Sequence, residues 1–224
     1  YPSISPYAYC AWNPVKLVDP DGRDVYVLTS DGHLTRSDKM TEKYQKQYGG
    51  HDVIYAQGTK SFSKPFKEGY LSSMVSDIQS GNKGSRLTLG DNRQDNVDIF
   101  KFCADNAETE FSLMEFKWGD KTTTLLTTSH HERTPSSGYV TDEYGSAYAK
   151  SNVCNLISHI HNHFSTVGAS YDDSGYSPDM EFKKMINNTR VCGNDEAKGT
   201  SVSFGIYKCR GDRFMTDYEK NNID

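Results

Sequence analysis

The sequence predicts a mixed α/β (α+β) domain, on three observations: a turn-marked hairpin near the N-terminus, amphipathic stretches at helical spacing, and a later series of alternating, β-branched runs. Val25 to Leu28 is apolar and β-prone and leads into Asp31-Gly32, a strong two-residue hairpin signal. Val53 to Ala56 reads as another short strand. Over 65–80, Phe66, Tyr70, Leu71, Met74, Val75 and Ile78 recur at helical spacing, with Pro65 before them and Gly81 after, which predicts a helix. A second helix is predicted over 92–106, with Val97, Phe100, Cys103 and Ala104 as its apolar stripe.

Beyond that helix the pattern turns to strands. Residues 110–117 alternate, and 122–129 are rich in Thr and Leu. Residues 132–150 have the Ser, Gly, Tyr and Thr content of a loop. Residues 153–163 read as a buried strand. Ser177-Pro178 opens a further helix, with Ser as N-cap, Pro at the first position, and Phe182, Met185 and Ile186 inward. Residues 201–209 form a last clear strand, with 214–218 able to pair with it.

Composition narrows the function. The 224 residues are 35% hydrophobic with a mean hydropathy of -0.74, but 15 Tyr and 10 Phe supply large rings for a core. The net charge is -5 and the basic residues are scattered, which argues against a nucleic-acid substrate. No apolar run approaches the roughly 20 residues of a membrane span. The chain opens Tyr-Pro-Ser without a basic or apolar leader, so any export is expected to depend on another carrier. Cys10, Cys103, Cys154, Cys192 and Cys209 form no CxxC pair, against a zinc ribbon, and are expected to be scattered buried thiols.

Chemistry concentrates at 158–164, SHIHNHF. Alternate residues of a strand share a face, so His161 and His163 can present two imidazoles to one zinc ion at about 2.0–2.1 Å. Sliding the pair one step back would use His159 and His161 instead. A catalytic zinc takes a third protein ligand, commonly a carboxylate, and keeps a position open. Downstream lie Asp173 and Asp179, the latter at the start of the predicted helix.

These residues resemble the JAB (JAMM/MPN) metallopeptidase family, which carries HxHP, a loop, and then SxxD opening a helix. His161-Asn162-His163 matches HxH, with Phe164 where proline is usual. Ser177-Pro178-Asp179-Met180-Glu181-Phe182 resembles the serine–aspartate helix start, one residue short and after a longer loop. Ser170-Tyr171-Asp172-Asp173 fits SxxD literally, which keeps Asp173 as a competitor. The resemblance implies zinc on His161, His163 and Asp179, with Ser177 polarising the scissile carbonyl. It also implies a glutamate, from a strand just after a helix, that takes the proton of the attacking water and passes it to the leaving amine. Glu108, Glu110 and Glu115 are candidates, and Glu110 has the matching position.

Residues 1–24 are turn-rich and contain Asn13-Pro14 and Asp19-Pro20-Asp21-Gly22. They resemble the end of an RHS-repeat core, beyond which such proteins carry variable toxin domains. The implied division is 1–24 as junction and 25–224 as a JAB-like toxin domain. It implies a protein or peptide substrate, a parent RHS shell, a cognate immunity protein and delivery into a target cell. A catalytically silent binding domain of the same fold is the alternative, and a metal-dependent nuclease a further one. His130-His131-Glu132 contains the HxE of zinc deaminases but no PCxxC follows. The letters HNH at 161–163 are adjacent, whereas the nuclease motif spreads them along a ββα unit.

Overall fold

The structure is a computed structural model describing residues 24–44, 47, 51–71, 75–78, 85–128, 130, 155–163, 180, 183–184, 202–209 and 215–217. Residues 1–23 of the expected junction at 1–24, the loop at 132–150, and Asp173, Ser177 and Asp179 lie outside the described residues.

A small sheet comes first. Strand β1 (Val25–Leu28) turns through Asp31-Gly32 into antiparallel β2 (Leu34–Arg36), as the hairpin signal predicts. Gly32 has φ +85°, and a Cβ there would come 2.5 Å from Thr109 Cγ2, so glycine is required on both counts. Helix α1 (Asp38–Tyr44) follows, and its Thr41 hydroxyl accepts the Val25 N–H at 2.9 Å. Strand β3 (Val53–Ala56) returns parallel to β1, and β4 (Ser61–Phe62) completes the order β2-β1-β3-β4.

The larger sheet has seven strands: β5 (Val75–Ile78), β6 (Ser85–Leu89), β7 (Phe111–Trp118), β8 (Lys121–Thr128), β9 (Leu156–His163), β10 (Ser203–Lys208) and β11 (Met215–Asp217). Their order is β11-β10-β9-β7-β8-β6-β5, mixed because β9 and β10 run parallel and the other pairs antiparallel. Helix α2 (Arg93–Asn106) crosses one face, with Asn92 as N-cap accepting the Asp95 N–H. Its predicted stripe of Val97, Phe100, Cys103 and Ala104 is buried, together with Ile99. The fold is α+β.

Two cores flank the large sheet. On one face Phe111, Leu113, Leu126 and Ile160 pack with α2 and with Leu28, Ile54 and Ala56 of the small sheet. On the other face Met114, Phe116, Leu125, Leu156, Phe204 and Ile206 pack with Met180 and Val202. Met180, Lys183 and Lys184 are helical, within the helix expected after Ser177.

The helix expected over 65–80 does not form. Phe66 and Leu71 are fully buried, as their spacing demanded, but Gly69 at φ +74° turns the chain between them. The buried carboxylate of Asp52 explains this. Its Oδ1 accepts the Asp24 N–H at 3.0 Å and its Oδ2 accepts the Leu71 N–H at 2.8 Å, while its backbone bridges to Phe66. That satisfies donors a helix would have used internally. Val75–Ile78 is then released to pair with β6.

Asp52 is completely buried and joins three chain segments. Asp52→Ala strands two buried N–H donors and is expected to cost about 3 kcal/mol, measured by urea unfolding. Alkali should also destabilise the fold. Burial, then the nearby Asp24, pushes the Tyr26 hydroxyl up to about 12. Burial, then Asp95, does the same for Tyr70, and burial alone pushes the Cys103 thiol up to about 12. The ordinary values are 10.0 for tyrosine and 9.0 for cysteine. The folded chain therefore holds protons that the unfolded chain has released, so stability falls as pH rises. The contribution is whole below pH 9 and is lost between there and about pH 12, readable as a falling urea midpoint.

Candidate metal centre

Strand β9 lies between β7 and β10, and every residue from Ser158 to His163 is buried. Alternation splits it. Ile160 joins the α2-side core, while His159 and His161 face the side of Met114 and Ile206. Cross-strand register extends the histidine face: Ser112 lies directly opposite His161, and Thr127 directly opposite Ser112. Glu110 is buried two residues before Ser112, on the approach to the same face.

His161 and His163 are buried, with their Nε2 atoms 2.8 Å apart and rings at 61°. As a hydrogen bond this contact needs one N–H donor and one lone pair, hence two different tautomers. As a metal pair it needs both lone pairs. Two imidazole nitrogens on one tetrahedral zinc are about 3.3 Å apart, so a swing of half an ångström fits them to the ion. His159 is buried as well, tilted against His161 at 5.4 Å between centroids and edge-on to Phe204. The converging nitrogens thus belong to the 161/163 pair. Among the described residues no group of three His, Cys, Asp or Glu side chains is arranged to hold a metal. A complete site requires a donor from outside them.

The three glutamates have different surroundings. Glu115 is buried on the α2 side, its two oxygens 2.9 and 3.2 Å from Arg93 Nε, turned away from the histidines. Glu108 is exposed ahead of the strand and its N–H donates to the Ser30 carbonyl. Glu110 is buried at the mouth of β7, and its carbonyl accepts the Thr128 hydroxyl at 2.8 Å.

His130 belongs elsewhere. Its Nδ1 lies 2.7 Å from the Asp31 carbonyl and its Nε2 2.6 Å from Ser85 Oγ, and its ring stacks on His33 at 3.8 Å. It clasps the β1–β2 hairpin to the large sheet and does not line the histidine face. His131 and Glu132 lie outside the described residues.

Residues 88–192 match a family model, JAB-like toxin 1. The match supports a JAB-like toxin domain. It spans α2, β7, β8 and β9, and so takes in Glu110, His161 and His163 along with Ser177 and Asp179. No curated protein and no solved structure matches the chain. A toxin domain of this kind is consistent with delivery into target cells and with an immunity partner. Among the described residues no helix is long and apolar enough to cross a membrane.

One residue of the site escaped the motif. Asn162, between the two histidines, points to the opposite face, fully buried beside Cys209. Its Oδ1 accepts the Phe111 N–H at 2.6 Å. A side chain thus replaces a ladder carbonyl next to Glu110, and it spaces the start of β7 from the end of β9. The polar residue on the core side of a strand was the available signal. Asn162→Leu leaves the Phe111 N–H without its acceptor and is expected to cost about 1–3 kcal/mol, measured by chemical denaturation of the metal-free protein.

Proposed function

We propose that the domain is a zinc-dependent peptidase or isopeptidase, the toxic tip of an RHS-type secreted effector. The observation that carries this reading is the convergence of two buried imidazoles on one face of β9, with their Nε2 atoms 2.8 Å apart. The match of 88–192 to a JAB-like toxin supports it. His161 and His163 would hold the zinc, with Asp179 as the third ligand and Asp173 as its rival. Zinc bound there would supply Lewis acidity, polarising an amide carbonyl and bringing the ionisation of water toward neutral pH.

The remaining work falls to side chains. Glu110 takes the proton from the attacking water and returns it to the leaving amine. Its burial two residues before Ser112, which lies opposite His161, supports that role. Ser177 donates a hydrogen bond to the oxygen on which charge develops. The substrate would be a peptide or isopeptide amide of a target-cell protein, and a dedicated immunity protein would guard the producer. A net charge of -5 without a basic stripe favours this over a nuclease.

Metal analysis joined to toxicity tests the assignment. The wild type should bind one equivalent of zinc, and His161→Ala and Asp179→Ala should abolish it. Glu110→Gln should retain zinc yet lose about 10²–10⁴-fold in activity, read as survival of cells expressing it. Metal-free wild-type protein, with Glu110→Gln as toxic as the parent, would end the hydrolase assignment. Stoichiometric zinc with unchanged toxicity in Glu110→Gln would leave a metal-stabilised binding domain.

A further inference from the structure

Two hydroxyls stand out on the histidine face. Ser112 and Thr127 are completely buried, and neither Ser112 Oγ nor Thr127 Oγ1 has a hydrogen-bond partner among the described residues. Nearly all buried polar groups are satisfied, so an orphaned one calls for an explanation. Here two occur side by side, on adjacent strands, in direct cross-strand register. Apolar neighbours of the same size would pack as well at no such cost. The row continues without a break to His161, which sits opposite Ser112 on β9. Directly opposed residues of an antiparallel pair have Cβ atoms about 4.5–5.5 Å apart.

The ring geometry of His161 gives this row a purpose. Its Nε2 is directed at His163 Nε2. The other ring nitrogen, Nδ1, adjoins the ring's root, on a residue directly opposite Ser112. A histidine that ligates a metal through Nε2 carries its proton on Nδ1 and donates it to an outer partner, which fixes the tautomer and the ring plane. A serine hydroxyl accepts such a proton and in turn donates its own. A threonine beyond it accepts that one. Reach is supplied by a staggered change of the Ser112 rotamer or by one bridging water.

We propose that Ser112 and Thr127 are positioning residues that hold His161 in its metal-ligating tautomer through a hydroxyl relay running across β7 and β8. The proposal rests on the zinc assignment to His161 and His163. Neither hydroxyl is assigned a contact with substrate, and neither makes a hydrogen bond among the described residues. Stability and metal affinity should therefore respond in opposite senses, which a merely structural pair would not do.

The test uses the whole chain and zinc alone. Ser112→Ala and Thr127→Val remove the hydroxyls at nearly constant shape, while Ser112→Thr and Thr127→Ser keep them. Zinc affinity is measured by competition with a chromophoric chelator, melting of the metal-free protein by circular dichroism, and the ligand field by the visible spectrum of the cobalt-substituted form. Ser112→Ala and Thr127→Val are expected to melt at or above the wild-type temperature, to bind zinc about 10–100-fold more weakly and to shift the cobalt bands. Ser112→Thr and Thr127→Ser should restore both affinity and spectrum. Equal zinc affinity and equal spectra in all five proteins would overturn the relay while leaving the zinc site standing. A wild type that binds no zinc would overturn the zinc assignment itself, and the relay with it. Should Ser112→Ala fail to fold, the Thr127→Val and Thr127→Ser pair decides alone.

Discussion

The insertion of β9 between β7 and β10 is the constraint on which the rest of the site depends. A strand paired on both edges and covered on both faces cannot slip, because one residue of slippage would send the three histidines into the α2 core and Ile160 out of it. The register thereby assigns His161 and His163 to one side and Asn162 to the other. It also aligns Ser112 and Thr127 with His161, on strands far apart in sequence.

Each face of the large sheet has its own task. The α2 side is a dry core reinforced by the small sheet, with the Arg93–Glu115 pair at its rim. Arg93 is largely exposed and Glu115 is not, so the guanidinium gives the buried carboxylate an ion-pair partner at the sheet's edge. The opposite side has a smaller apolar cluster and gathers polar residues: three histidines and two hydroxyls. Such polar burial costs stability, and a fold tolerates it where chemistry requires it. The α2 core, with Asp52 tying together three segments, supplies the rigidity.

His130 illustrates how a chemically suggestive residue is absorbed by architecture. Both ring nitrogens lie within hydrogen-bond distance of Asp31 and Ser85, and its face is taken by His33. The same residue type two positions past the end of β8 serves as a clasp, while on β9 it stands next to its like with converging nitrogens. Proximity of compatible lone pairs, not residue type, distinguishes the two.

Local chemistry in the sequence determined the hairpin at Asp31-Gly32, the cap and stripe of α2, the existence of β7 to β11, and the pairing of His161 with His163 on one face. These follow from turn dihedrals, capping and strand alternation, which act within a few residues. The sequence did not determine the path of 65–80, because the deciding partner, Asp52, is a carboxylate lying upstream whose burial only the fold creates. Nor could it show that Glu115 is taken up by Arg93, since that pairing depends on where α2 lies against β7. The orphaned hydroxyls of Ser112 and Thr127 were equally invisible: serine and threonine in a strand are ordinary. Only cross-strand register, a tertiary property, sets them in line with His161.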